Sequence, residues 1–168
     1  TCIRETVQTA LYFAGQMRLN LSQRWTLLMI SLAPSLFKSE NSESDFNVST
    51  ATKSINSIGN TAKVPKTHTQ FATLFAQQAN KLCTINSLSA ADKIDLLQTC
   101  GAHKEPDKLS QLLVCSHVLQ LAIQHRQMML ALNSFHAIGM TDIASDLKGP
   151  AIGAALRQSR IDHLQAHG

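Results

Sequence analysis

The residues best suited to chemistry lie near the end of the chain, where basic side chains surround the start of a predicted helix. Lys148 and Gly149 directly precede a proline, the residue that favours the first position of a helix. Free backbone N–H groups at such a start attract phosphate, and a neighbouring lysine adds to that attraction. Arg157, Arg160 and His163 follow at intervals of three residues, so they share one helix face. This basic strip indicates contact with a nucleic-acid backbone, and it is also compatible with an ordinary solvated helix face.

Other signatures of catalysis are missing from the sequence. It contains no phosphate-binding glycine loop, no HExxH motif and no GxSxG motif. Among seven histidines, only His117 and His125 are expected to share a helix, and they lie two turns apart. Four cysteines without a CxxC pair favour reduced, mostly buried thiols over a zinc site or a disulfide framework. We therefore assign no catalytic and no metal-binding residue.

Composition and charge favour a polyanionic partner. The 168 residues, 44% hydrophobic and 15% charged, are enough for one compact domain or two small ones. Lys and Arg number 15 and Asp and Glu 11, a net charge of +4, and four lysines but no acid lie between Phe46 and Ala91. No apolar run reaches the roughly 18 residues of a membrane span, and no signal-peptide pattern opens the chain, so we expect a cytoplasmic protein without membrane contact.

Hydrophobic spacing predicts an all-α protein, an irregular bundle of about six to eight helices with one long polar loop. Ser22 and Ser89 are the expected N-caps of two helices, and Gly101 is an expected helix end. The helices are predicted at about 2–19, 22–34, 69–82, 89–101, 106–132 and 150–165, with a short one after Thr141. The polar loop covers 37–69. The chain opens in a helix without a methionine, so we expect a piece of a longer polypeptide.

The last helix resembles a part of a known enzyme family. Residues 147–153 read Leu-Lys-Gly-Pro-Ala-Ile-Gly, and with Leu156-Arg157 and Arg160-Ile161 they look like the closing helix of class II CCA-adding tRNA nucleotidyltransferases. Residues 88–118 resemble the helices that precede this tail in the bacterial form. Residues 24–28, Arg-Trp-Thr-Leu-Leu, resemble the lead-in to its HD metal-phosphohydrolase module. The resemblance spans nearly the whole chain and is most specific in the tail.

Departures from the family pattern limit what the resemblance implies. Where an HD module has its adjacent His-Asp metal ligands, residues 29–32 read Met-Ile-Ser-Leu, and Ile3-Arg4 stand in place of its first histidine. His68 is the one histidine at a matching place. Because neither isoleucine nor arginine ligates a divalent metal, we expect residues 1–87 to be a degenerate HD-like module without its metal. Residues 88–168 would be the body and tail, and the two parts can share one core.

The resemblance implies tRNA as the partner and tRNA 3′-end maturation as the process. The chain would grip the acceptor and T arms by shape and phosphate, with Lys148, Gly149, Arg157, Arg160 and His163 binding RNA. A separate N-terminal head would hold Mg²⁺ and use CTP and ATP, because this sequence has no strand pattern and no DxD pair; the segment itself is expected to bind no cofactor.

Two alternatives and two questions remain at the level of the sequence. A degenerate HD-type scaffold would serve protein–protein or subunit contacts without binding RNA, and the modest net charge favours it. An active metal phosphohydrolase is disfavoured, because the ligand positions hold other residues. The sequence leaves open whether the segment acts as an enzyme and whether it forms oligomers.

Overall fold

The described part of the chain is mainly helical and contains no strand, which confirms the predicted all-α class. The structure, a computed structural model, describes residues 3–32, 48–121, 123–143 and 147–167. These residues contain no strand, and two 3₁₀ turns lie at Ile85–Ser87 and Met140–Asp142. The helices within them are α1 (Ile3–Gln16), α2 (Leu21–Leu32), α3 (Val48–Thr61), α4 (Lys66–Cys83), α5 (Ala90–Thr99), α6 (Pro106–Val118), α7 (His125–Ala137) and α8 (Pro150–His167).

Two compact units make up the chain. The first consists of Thr1–Asn80 and Gln111–Ala122, and the second of Lys81–Ser110 and Ile123–Gly168. The chain therefore divides after Asn80, whereas the sequence-based division lies after residue 87. Helices α4 and α6 each contribute residues to both units.

In the first unit, α1 packs against α2 through small residues. Ala10 and Ala14 lie four residues apart and are both buried, as expected for one face of a helix. Leu27 and Ile30 of α2 are also buried. The helix pair expected from the sequence is thus present.

Asn20 caps α2, so the prediction of Ser22 as the cap was wrong. The Asn20 side-chain oxygen accepts a hydrogen bond from the Gln23 amide at 2.9 Å, and the Gln23 side-chain oxygen accepts one from the Asn20 amide at 3.0 Å. This reciprocal pair satisfies two backbone donors at the helix start, which a serine inside the first turn does not do. The Ser22 hydroxyl instead forms a 2.6 Å hydrogen bond with Nδ1 of His68.

The long polar loop predicted over 37–69 was wrong from residue 48 onward, where α3 forms. One narrow stripe of this helix is buried, and its residues recur every four positions: Ala51, Ile55 and Gly59. Because these apolar residues are few and small, the helical period is hard to recognise among the serines, threonines and asparagines of α3. Residues 37–47 lie outside the described part of the chain.

The single long helix predicted over 106–132 was also wrong, because the chain forms α6 and α7 there. After α6, Gln120 takes the left-handed conformation with φ of 56°, and its amide donates to the His117 carbonyl at 2.9 Å. This turn ends the helix although no glycine or proline marks it. His117 and His125 consequently lie on different helices.

The second unit contains α5, α7 and α8, each packed against the other two. The Ser89 hydroxyl accepts from the Asp92 amide at 3.1 Å, and Gly101 has the left-handed φ of 78° that ends α5; both confirm the prediction. The short helix predicted after Thr141 is wrong where the chain is described, because a 3₁₀ turn occupies Met140–Asp142. Residues 144–146 lie outside the described ranges.

The cysteines of the described ranges are free thiols, as predicted. Cys100 and Cys115 are buried and Cys83 is half-buried. Burial raises the pKa of Cys100 and of Cys115 to about 12, because the thiolate would lose its hydration. Both thiols are therefore protonated and unreactive at neutral pH. Separately, none of the described helices combines the length and the apolar character needed to cross a bilayer.

Candidate nucleic-acid interface

The start of α8 is open to solvent, as a phosphate contact requires. Lys148 and Gly149 are both exposed. Gly149 has a φ of 57°, the left-handed region that favours glycine, and a Cβ at this position would meet nothing within 4 Å. The structure therefore leaves both residues accessible to a ligand.

Arg157 of the predicted strip is paired with an acid inside the second unit. Its Nε and Nη2 donate to the two carboxylate oxygens of Asp95 at 2.6 Å and 2.7 Å. The hydrogen bonds from Arg157 hold the pKa of Asp95 below its usual value, and Asp95 raises the pKa of Arg157. This two-point pairing joins α5 to α8 and neutralises the charge of Arg157 locally.

Arg160 contacts a different helix and is partly withdrawn from water. Its guanidinium carbon lies 3.8 Å from the centre of the Phe135 ring, a cation–π contact with α7. Its Nε donates to the Ile138 carbonyl at 3.2 Å. Burial lowers the pKa of Arg160 from its ordinary value, because the charged form loses hydration. The side chain thus helps to pack the second unit.

His163 of the strip is involved with its own helix. Its Nδ1 is buried without a hydrogen-bond partner, and its ring stacks on that of His167. The five predicted RNA-binding residues therefore do not form one accessible cluster. Lys148 and Gly149 face solvent, whereas Arg157, Arg160 and His163 make contacts within the second unit.

The first unit holds a set of basic side chains that the site prediction left out. Its described residues include one acid, Glu5, against six basic residues. Within the described residues, five of these basic side chains are exposed and form no ion pair: Arg18, Arg24, Lys53, Lys63 and Lys66. The acid-free stretch between Phe46 and Ala91 was the signal for three of them. We refer to Lys53, Lys63 and Lys66 as the lysine set.

Residues 29–31, which the resemblance aligns with the metal ligands of an HD module, lie inside the first unit. Met29, Ile30 and Ser31 are all buried, and the Ser31 hydroxyl has no hydrogen-bond partner. His68, at the matching histidine position, is hydrogen-bonded to Ser22. Across the described ranges, no three or more His, Cys, Asp or Glu side chains converge as they would around a metal ion.

Over the described residues, the fold consists of helices in two compact units, and each unit exposes lysines that form no ion pair. Comparison with protein-family models, with curated proteins and with solved structures gave no match.

Proposed function

We propose that this chain is the RNA-contacting helical region of a CCA-adding tRNA nucleotidyltransferase. It would hold the acceptor and T arms of tRNA while an N-terminal head, with Mg²⁺, CTP and ATP, extends the 3′ end in the cytoplasm. The resemblance of residues 147–161 to the closing helix of that family supports the family assignment. The observation that best supports RNA contact is the exposure of the lysine set in the first unit.

The chemistry of the lysine set suits a phosphate backbone. Lys63 and Lys66 lie three residues apart at the turn between α3 and α4, and Lys53 lies on α3. When exposed lysine ammonium groups approach RNA phosphates, they displace the counterions condensed on the RNA. This displacement provides affinity without reading the base sequence. Folded double-stranded RNA is recognised largely in this way, by shape and by its backbone. Lys148 at the start of α8 adds a further candidate contact.

The contacts of Arg157 and Arg160 favour a structural role for these two residues. Each arginine already binds a partner within the second unit, Asp95 for one and Phe135 for the other. An RNA phosphate would have to replace those contacts. We therefore propose that both arginines keep α8 in place, and that exposed lysines contact the RNA.

Binding of labelled tRNA, measured by fluorescence anisotropy over a salt series, tests this proposal. The double variant Lys63→Gln with Lys66→Gln should bind more weakly and reduce the slope of log K against log salt by about 2, one for each lost phosphate contact. The matched control is Lys104→Gln with Arg126→Gln, which removes two exposed charges from the second unit. The control should bind as the unchanged chain does. Equal losses in the two variants would contradict the proposal.

One observation favours the second candidate, a scaffold for protein contacts. Several large apolar side chains near the α1–α2 turn are exposed, led by Leu21 at 67% and Tyr12 at 64%. Exposed apolar side chains of this size are frequent where proteins bind one another. If the unchanged chain binds no tRNA even at low salt, this candidate replaces the first.

A further inference from the structure

The second half of α1 is apolar on every side of the helix. Residues 10–15 read Ala-Leu-Tyr-Phe-Ala-Gly, and six consecutive residues point in all directions around a helix axis. The two alanines are buried, whereas Leu11, Tyr12 and Phe13 are 42%, 64% and 42% exposed. A helix that is apolar on all sides is typical of one that is covered on all sides. This part of α1 therefore has the composition of a contact surface.

The exposed apolar surface continues around the turn between α1 and α2. The Met17 amide donates to the Phe13 carbonyl at 2.9 Å, so Met17 lies one helical turn beyond Phe13, and it is 43% exposed. Leu19 is buried and anchors the turn, and Leu21, which is 67% exposed, begins α2. The rings of Tyr12 and Phe13 meet edge to face, with their centroids 5.8 Å apart. We refer to Tyr12, Phe13, Met17 and Leu21 as the turn patch.

Two arginines border the turn patch. Arg18 follows Met17 directly in the chain. Nε of Arg24 donates to the Leu19 carbonyl at 2.8 Å, which holds this guanidinium beside the turn. Both arginines are exposed and form no ion pair with the described residues, and residues 7–32 include no aspartate or glutamate. The border of the patch is therefore positive, and a partner with carboxylates around an apolar centre complements it.

We propose that the turn patch binds an acidic amphipathic helix of a partner protein. A peptide that binds by strand addition needs a sheet edge, and the described ranges contain no strand. An amphipathic helix presents apolar side chains one turn apart, which matches the spacing of Phe13 and Met17. Its apolar face covers the turn patch, and its carboxylates face Arg18 and Arg24. This interaction goes beyond RNA contact and does not depend on it, because the turn patch and the lysine set have no residue in common.

Charge and side-chain type favour this occupant over a second copy of the chain and over RNA. In a two-fold contact the same surface faces itself, so two copies would bring four arginines together around one apolar patch. Unpaired RNA bases stack on aromatic rings, but half of the turn patch, Met17 and Leu21, is aliphatic. An acidic helix satisfies both the aliphatic side chains and the arginines.

Fluorescence anisotropy of two labelled helical peptides, titrated with the whole chain, tests the proposal. Both peptides have about 18 residues and carry leucine at the i, i+3, i+4 and i+7 positions of one face. One peptide has glutamate beside this face, and the other has lysine at the same positions. The glutamate peptide should bind about 10-fold more tightly, and this preference should decrease as salt is added. Arg18→Gln should reduce the preference, because it removes one of the two charges that select the glutamate peptide.

Variants of the patch itself locate the binding. Tyr12→Gln with Leu21→Gln removes the two most exposed side chains of the turn patch and should weaken binding of the glutamate peptide about 10-fold or more. Met129→Gln is the matched control, because Met129 is 52% exposed on α7 in the second unit, and it should leave the affinity unchanged. Glutamine is a good helix former, so helix content by circular dichroism should be the same in all variants.

Four results would overturn the proposal. Equal binding of the two peptides would show that the arginines do not select an acidic partner. Equal losses in the double variant and in Met129→Gln would show that binding is not located at the turn patch. A dimer in sedimentation equilibrium that the double variant converts to a monomer would assign the patch to a second copy of the chain. Loss of tRNA binding in the double variant would assign it to RNA.

Discussion

The two units differ in what surrounds their basic side chains. In the second unit, Arg157 binds Asp95, Arg160 lies over Phe135, and Lys108 lies 3.4 Å from Glu105. Other described basic side chains of that unit are exposed and form no ion pair: Lys81, Lys104, Arg126 and Lys148. There the described residues include eight basic and six acidic side chains. In the first unit, the lysine set is exposed, and Glu5 is the one described acid. Charge that is paired stabilises a fold, whereas exposed charge that forms no ion pair is available to a ligand.

The helices meet at two kinds of residue, small residues and buried aromatic rings. The first unit brings α3 close to α4 at a glycine, and packs α1 on α2 through alanines. Each unit also has a fully buried phenylalanine, Phe75 on α4 in the first and Phe135 on α7 in the second, where Arg160 of α8 lies over its ring. Small residues allow close approach, while a large aromatic residue contributes more buried apolar area. Substitutions at Gly59 of the first unit and at Phe135 of the second should therefore act by different mechanisms.

The largest expected effect comes from removing the aromatic ring of the second unit. Phe135→Ala should lower the free energy of unfolding by about 3–5 kcal/mol, because it leaves a cavity and removes the surface under Arg160. Urea unfolding followed by circular dichroism measures this loss. Trp25, the single tryptophan, lies in the first unit, so its fluorescence midpoint should shift less than the circular dichroism midpoint.

Phe135→Leu is the matched control, since it keeps most of the apolar volume and should cost less. Equal shifts of the fluorescence and circular dichroism midpoints in Phe135→Ala would show that the two units unfold together in one cooperative transition. That result would contradict the separate responses expected of the two units.

A smaller effect is expected at the close contact of the first unit. A Cβ at Gly59 would lie 2.7 Å from the hydroxyl oxygen of Thr69, whose branched side chain has little freedom to move. Gly59→Ala should therefore destabilise the protein by about 1–2 kcal/mol, since overpacking exceeds the gain in helix propensity. Thermal unfolding measures the change.

Gly153 offers the matched substitution in α8, where an added Cβ would meet nothing within 4 Å. Gly153→Ala should stabilise the protein by about 0.5–1 kcal/mol. Adding Thr69→Ala to Gly59→Ala should recover part of the loss. If Gly59→Ala stabilises the protein as Gly153→Ala does, α3 and α4 do not approach each other closely at Gly59.

The smallest effect concerns the pH dependence of the Asp95–Arg157 pair. Arg157 lowers the pKa of Asp95 below the ordinary value of 3.8, so the pair stabilises the folded chain above about pH 4. That contribution should be lost as the pH falls through the lowered pKa, because the carboxylate becomes protonated. The stability difference between the unchanged chain and Asp95→Asn, measured by urea unfolding from pH 2 to 7, should shrink accordingly.

Arg157→Gln is the control for this pH dependence, since it removes the other partner. In that background, Asp95→Asn should no longer change the acid limb of the stability curve. A persistent difference would mean that another group sets the pKa of Asp95.

Much of the fold could be predicted from local pattern. The ends of α5 follow from Ser89 and Gly101, and α8 follows from the proline at its start, because caps and helix breakers act over a few residues. The break at Gln120 could not be predicted, since no glycine or proline marks it. Helix α3 was missed because its buried stripe consists of few, small residues.

The candidate site was harder to predict than the fold. The spacing of Arg157 and Arg160 correctly placed both on one helix. Their partners, Asp95 and Phe135, are distant in the sequence, so only the tertiary structure identifies them. An exposed arginine and a paired one have the same local pattern. The acid-free stretch that contains the lysine set was visible in the sequence, because charge composition needs no knowledge of tertiary contacts.

The most direct test of the central claim is lysine footprinting of the unchanged chain with and without tRNA. Acetylation of each lysine, measured by mass spectrometry at low salt, reports which amino groups the RNA covers. Our account predicts that tRNA protects Lys63 and Lys66 of the first unit and leaves Lys104 of the second unit as reactive as before. Protection of Lys104 with none at Lys63 and Lys66 would contradict it.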